Sequence, residues 1–277
     1  ACRFADHVIT VSDHWRETLV HRGVDRRKCS VVMNVADTAI FRPVAAARRD
    51  SERFELVYHG TVTYRYGLDL ALAAIAELAH DIPEIHLTVL GRGDLMPDLV
   101  AQRDALGLAG HVDLCDDYVI AEQLPEKLVH ATLGVVPYRD DVFTDGIVPT
   151  KLMEYAALGL PCVASRTSAI QAYFEGCMTE LVTPDDVPEL AARIRDLAAD
   201  PRRRDELSRL STRFTERYNW RQVSADYARL VERLGLDRLG IPVTSSRRGN
   251  PPAPRSRRRG SRPGRTRGAA RAPRVLA

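Results

Sequence analysis

Apolar residues in this chain fall into two alternating kinds of run. Short, nearly continuous β-rich runs occur at His7–Val11, Ser30–Met33, Phe54–His59, Ile85–Leu90, Val112–Cys115, Leu133–Val136, Cys162–Ala164 and Glu180–Val182. Between them lie segments with helical spacing. Leu68, Leu72, Ile75 and Leu78 repeat at i, i+4 and i+7, as do Val187, Leu190, Ile194 and Leu197. Trp220 opens a further helix with Val223, Leu230, Val231 and Leu234 on one face. Continuous apolar strands separated by amphipathic helices predict an α/β fold, a parallel sheet with helices on both faces. In such a sheet the loops that follow the strands gather at one edge, and ligands bind there.

Those loops carry the candidate chemistry. After the strand ending at His59 comes Gly60-Thr61-Val62-Thr63-Tyr64-Arg65-Tyr66-Gly67, where Gly60 permits a tight turn and Arg65 is a candidate for reaching a phosphate. After Leu90 comes Gly91-Arg92-Gly93-Asp94, a Gly-x-Gly without the third glycine of a dinucleotide fingerprint, since position 96 is Met. Asp116-Asp117-Tyr118-Val119 follows the next strand. The segment Pro149-Thr150-Lys151-Leu152-Met153-Glu154-Tyr155 then starts a helix with Lys151 and Glu154 on one face. A lysine in the first turn sits at the positive end of the helix dipole, an unfavourable place unless an anion joins it. Phosphate meets that need, and Glu154 is then placed to accept hydrogen bonds from a ribose. The alternative is a solvated Lys–Glu pair on a surface helix.

Composition narrows the choice. Hydrophobic residues make up 45% of the 277, and no run of about 18 apolar residues is present, so no membrane-spanning helix is expected. The five cysteines, at 2, 29, 115, 162 and 177, have no metal-ligand spacing and read as reduced residues of a cytoplasmic protein. Residues 245–277 hold eleven Arg and no Asp, Glu or Lys, so the net charge of +3 divides into +11 for the tail and −8 for residues 1–244. That tail, rich in Pro, Gly, Ser and Ala, lacks the apolar residues needed to fold and is expected to be disordered. No aromatic residue interleaves its arginines, so nucleic acid is not an expected partner.

The ordered set of loops resembles glycosyltransferase family 4. Glu154, Gly159 and Pro161-Cys162-Val163-Ala164-Ser165 match the end of that family's acidic motif and the strand after it, and Pro149 to Tyr155 fits its Pro-x-Lys-Leu-x-Glu-Tyr variant. The usual first Glu of the motif falls on Gly146, one residue past Asp145, and Thr61 stands where an Arg is common. Asn34-Val35-Ala36-Asp37 and Phe41-Arg42-Pro43 look like the family's interdomain crossing. The resemblance covers roughly residues 4–238. It implies one half of a two-domain GT-B fold, with residues 1–43 ending an N-terminal acceptor domain, 44–240 forming the nucleotide-sugar domain and 241–277 a tail. The missing N-terminal domain would be a partner of this fragment.

The resemblance further implies sugar transfer from a nucleoside diphosphate sugar to an acceptor hydroxyl, in glycan, polysaccharide or glycolipid synthesis. Retained anomeric configuration, no cofactor and no essential metal are expected. The candidate catalytic residues are Arg65, Lys151 and Glu154, with Asp145 near the donor sugar. Gly60, Thr61, Gly91, Arg92, Asp117, Tyr118, Val119, Pro149 and Thr150 would line the nucleotide. The acceptor, glycan or lipid-linked, is unspecified, and peripheral contact with the inner face of a membrane is expected with a lipid-linked one. Other classes are an NAD-dependent oxidoreductase, a sugar-nucleotide epimerase, and a noncatalytic nucleotide-sugar or nucleic-acid-binding module. Deleting residues 245–277 should leave folding and nucleotide binding intact. A melting temperature lowered by more than about 4 °C, roughly 1 kcal/mol for a domain of this size, would show the tail to be packed structure.

Overall fold

A computed structural model of the chain describes residues 1–2, 4–43, 53–128 and 130–238. The tail at 241–277 lies outside the described residues, as does the start of the predicted second domain at 44–52. Two parallel sheets are present among the described residues. The small one pairs β1 (Val8–Thr10) with β2 (Cys29–Val31), joined through α1 (Asp13–His21). The large one has six strands: β3 (Phe54–His59), β4 (Ile85–Leu90), β5 (Val112–Cys115), β6 (Leu133–Val136), β7 (Cys162–Ser165) and β8 (Thr179–Val182). Its order is β5-β4-β3-β6-β7-β8, with every neighbour parallel. Each expected strand forms, within a residue or two of its apolar run.

Helices cover the large sheet because both of its faces are apolar. These are α2 (Leu68–Leu78), α3 (Met96–Ala105), α4 (Leu124–Leu128), α5 (Thr150–Leu158), α6 (Ser168–Phe174), α7 (Val187–Ala199) and α8 (Pro201–Arg217). Leu68, Leu72, Ile75 and Leu78 are fully buried, and Leu190, Ile194 and Leu197 nearly so. The last helix, α9 (Trp220–Arg238), departs from its predicted face. Leu230 is buried, whereas Trp220 and Val231 are about half exposed. Its single apolar stripe therefore has only a narrow contact with the core.

The strand order reverses between β3 and β6, where the chain crosses from building one half of the sheet to building the other. That switch point leaves a crevice outside the strand ends. Behind it, Tyr155 of α5 packs against the bare backbone of Gly134 in β6. A Cβ at Gly134 would lie 2.7 Å from the tyrosine ring. Gly134→Ala should therefore destabilise the fold by about 1–3 kcal/mol, read as a fall in melting temperature of several degrees. An unchanged melting temperature would show that Tyr155 moves aside freely.

Candidate functional site

A cleft of about 1170 Å³ opens at the switch point, among the loops that follow β3, β4, β5 and β6. Its walls depend on backbone crowding. The loop after β3 runs beside the loop after β4, tied by hydrogen bonds from Gly60 N to Leu90 O and from Val62 N to Arg92 O. A Cβ at Gly91 would lie 1.8 Å from the Gly60 carbonyl oxygen, and one at Gly93 1.8 Å from that of Val62. The incomplete Gly-x-Gly thus serves to bring two loops together.

Lys151 lies at the centre of the lining. It is in the first turn of α5 and is only 6% exposed, so the solvated Lys–Glu pair is excluded. Its Nζ donates to the hydroxyls of Tyr58 and Tyr138, each at 2.9 Å. It also lies 4.0, 5.0 and 5.1 Å from the ring centroids of Tyr58, Tyr66 and Tyr138. Three electron-rich rings and two hydroxyls partly replace water around the ammonium. Burial still outweighs them. It lowers the Lys151 pKa to about 7, with the Glu154 carboxylate opposing. Tyr58 and Tyr138 are pushed up by the same burial, so both remain neutral hydroxyls.

Glu154 follows one turn later. Its Oε2 lies 3.0 Å from Nε2 of His59, at the end of β3, and His59 is 5% exposed. The separation is that of an ion pair, yet neither atom makes a hydrogen bond of acceptable angle. The pair is thus buried without a well-aligned hydrogen bond to offset its desolvation. The His59 ring is held edge-on to Tyr155 at 5.2 Å. Pro149, Thr150 and Lys151 bring the N-terminus of α5 to the cleft, where no side chain caps it.

One arginine fixes the loop after β3. Arg139 forms a two-pronged ion pair with Asp69, both contacts at 2.7 Å, and donates to the Tyr64 carbonyl at 2.8 Å. Its Nε lies 3.1 Å from Asp185, which adopts a left-handed backbone at φ 62. The Tyr64 ring covers the guanidinium at 3.9 Å. This clamp holds Tyr66, which stacks on Tyr138 at 4.5 Å.

Most expected site residues meet here. Gly60, Thr61, Gly91, Arg92, Asp117, Tyr118, Val119, Pro149, Thr150, Lys151 and Glu154 all line the cleft. Arg65 and Asp145 do not. Arg65 is exposed in a short 3₁₀ turn, its guanidinium 4.8 Å from the ring centroid of Phe143, itself a lining residue. Asp145 accepts from the Ser168 N–H at 2.7 Å at the start of α6, which commits its carboxylate. The structure thus places Arg65 beside Phe143 and Asp145 at the start of α6. Arg92 lines the cleft instead, 5.6 Å from the Tyr118 ring centroid. The tyrosine cage, His59, Trp15 and Phe143 were not among the expected residues. A signal existed only for Tyr58 and His59, polar endings on an apolar strand. Among the described residues no group of His, Cys, Asp and Glu is placed to hold a metal ion.

The family model described as Glycosyl transferases group 1 matches residues 53–200. The chain belongs to that family. It is 30% identical over 209 residues to a GDP-mannose-dependent α-(1-6)-phosphatidylinositol monomannoside mannosyltransferase of Mycolicibacterium smegmatis, covering 70% of this chain and 54% of that one. Over 237 residues it is 28% identical to a glycogen synthase of Mycobacterium tuberculosis, covering 82% and 54%. The chain thus spans about half the length of these curated relatives. The fold is also that of Anabaena HepE in complex with UDP and glucose, with a TM-score of 0.72 at 17% identity over 84% of this chain and 64% of that one. Sucrose-phosphate synthase from Thermosynechococcus elongatus gives 0.71 at 22% identity over 84% and 59%. The fold is therefore the Rossmann-like half of a GT-B glycosyltransferase.

The depressed Lys151 pKa makes stability depend on pH. The folded value near 7 lies below the unfolded value near 10.4. Between these the unfolded state binds more protons, so stability rises with pH across that window. Lys151→Met should stabilise the fold below pH 7 by on the order of 1–3 kcal/mol after two lost hydrogen bonds, read as a higher melting temperature, and the gain should fade towards pH 10. Equal melting temperatures of the two proteins at every pH would refute this.

Proposed function

We propose that the chain is the donor-binding half of a glycosyltransferase that moves a sugar from a nucleoside diphosphate sugar to an acceptor hydroxyl. The observation that carries this reading is Lys151, a buried cation at the uncapped N-terminus of α5, held by hydroxyls and rings with no carboxylate in contact. A diphosphate supplies the missing negative charge. Its departure from the sugar needs that charge stabilised, and Lys151, Arg92 and the α5 amides are positioned to do so electrostatically. In this reading Glu154 holds the ribose, and Asp117, Tyr118 and Val119 flank the base. The names of the relatives, a mannosyltransferase and a glycogen synthase, support hexosyl transfer in glycan or glycolipid synthesis.

The narrower assignments extend the same reading. Membership of family 4, retention of anomeric configuration and independence of metal follow from the resemblance of the Pro149–Tyr155 segment. Residues 1–43 end an acceptor-binding domain whose remainder completes the site, so the chain alone binds nucleotide without transferring sugar. With a lipid-linked acceptor, the work is done at the inner face of a membrane; among the described residues no helix is long and apolar enough to cross one.

Calorimetry with UDP, GDP and ADP tests the core of the proposal. A charge-assisted bond to phosphate is worth about 1.5–3 kcal/mol, so Lys151→Ala should weaken the matching diphosphate roughly 10- to 150-fold while sparing its nucleoside. Glu154→Gln should weaken both. A diphosphate raises the pKa of Lys151, so its complex holds more protons than the free protein. Affinity should fall as pH rises above about 7, and the dependence should vanish in Lys151→Ala. Unchanged affinity for all three diphosphates after Lys151→Ala would remove the support for a transferase.

A further inference from the structure

The cleft lining is polar around Lys151, Glu154, His59 and Arg92, and apolar where Val11, Trp15, Phe143, Ile147 and Val148 meet it. Trp15 is the largest group of the apolar part. It comes from α1 and packs on the loop that leads into α5. At Gly146, five residues before Lys151, a Cβ would lie 2.7 Å from two carbons of the Trp15 indole and 3.0 Å from the His14 ring. The backbone of Gly146 is buried under these rings. Only a residue without a side chain lets the indole rest there.

The backbone that carries the indole is held at the start of α1. The buried Ser12 hydroxyl accepts from the Trp15 N–H and caps α1. Tyr173 of α6 bridges the same turn. Its hydroxyl accepts from the Asp13 N–H at 3.0 Å and donates to the Asp13 carboxylate at 3.2 Å. His14 stands edge-on to the indole at 5.6 Å. Trp15 nonetheless remains only partly buried and borders the cleft. A large aromatic surface, fixed in place and left open beside a polar site, suits a ligand with one apolar face and a polar rim. A pyranose ring has that form: C–H groups on a face, hydroxyls around the edge. A diphosphate held by Lys151 and the N-terminus of α5 carries its sugar beside the loop of residues 146–149 that Trp15 covers.

Resting on the proposed donor site, we propose that Trp15, seated on the bare backbone of Gly146, is the stacking platform for the pyranose ring of the nucleotide sugar. It is a specificity-determining residue that separates nucleotide sugars from nucleotides. Ribose and base are held elsewhere in the cleft, so the indole contributes nothing to the nucleotide alone.

The chain has two tryptophans, Trp15 and the half-exposed Trp220, so a Trp220→Phe background reports on Trp15 by fluorescence. UDP, GDP and ADP are titrated beside UDP-glucose, GDP-mannose and ADP-glucose. For the base that binds, the nucleotide sugar should alter Trp15 emission and the diphosphate should not. Calorimetry on Trp15→Ala should show a loss of roughly tenfold for the nucleotide sugar, the scale of an anchoring aromatic, and under about twofold for the diphosphate. Gly146→Ala, which displaces the ring, should reproduce that pattern, and Trp15→Phe should recover part of the affinity. Equal losses for both ligands would make Trp15 a structural residue and overturn the proposal, as would no loss for either. A response to methyl glucoside or methyl mannoside over saturating diphosphate, with none to the nucleotide sugar, would give the indole to an acceptor and also overturn it. Failure of the unsubstituted chain to bind any of the three diphosphates would instead refute the donor site on which this inference rests.

Discussion

The burial of one ammonium group organises this molecule. Lys151 has left water without gaining a carboxylate in contact, and dispersed partners compensate: two hydroxyls and three aromatic faces. Such partners reduce the desolvation penalty without cancelling it, because an aromatic quadrupole attracts a cation far less than a formal negative charge does. The protein's own groups thus leave the lysine electrostatically under-compensated. The same physics that makes the lysine costly to the fold makes it responsive to an anion.

The cage requires its supports. Tyr58 is anchored by its place in β3 and donates to the Thr61 carbonyl at 2.6 Å. Tyr138 follows β6 directly, and Tyr66 is held in a loop by Arg139 and Asp69. At the turn into α2, Gly67 takes a left-handed conformation, with no room for a Cβ against the Pro137 carbonyl oxygen 1.9 Å away. These contacts place backbone, ion pair and ring stacking around the same few side chains. The side of the cleft that carries Lys151 is thereby braced from several directions, and precise placement of charge is what electrostatic stabilisation of a leaving group demands.

The sheet could be read from the sequence because each strand is a local signal. Phe54–His59 and Ile85–Leu90 are mostly apolar, since both of their faces are covered, and they form as read. Gly60, Gly91 and the α5 segment were readable for a similar reason, as loop and helix-start residues at fixed offsets from strands. The cage was not readable. It joins residues 58, 66, 138 and 151, and nothing in the spacing of tyrosines distinguishes a core ring from one around a cation. Where Arg65 and Arg92 lie relative to the cleft needed three-dimensional facts as well. Both follow a glycine-led turn, but the Arg139 N–H binds the Arg65 carbonyl oxygen, and the intervening 3₁₀ turn points Arg65 to Phe143. Val231 shows the opposite error, since its place on the apolar face of α9 suggested burial that its exposure does not bear out.

The reversal of strand order between β3 and β6 also governs when the site comes into being. Leu56 pairs with Leu133, and the Tyr58 and Lys151 side chains meet across 93 positions of sequence. Closing loops of that length is slow and entropically costly, so these contacts belong to the late part of folding. In chain order the glycine loops after β3 and β4 precede β6 and α5, which carry Tyr138 and Lys151 to them. The tyrosine cage is therefore complete only when the α5 segment docks and brings Lys151 against Tyr58 and Tyr138.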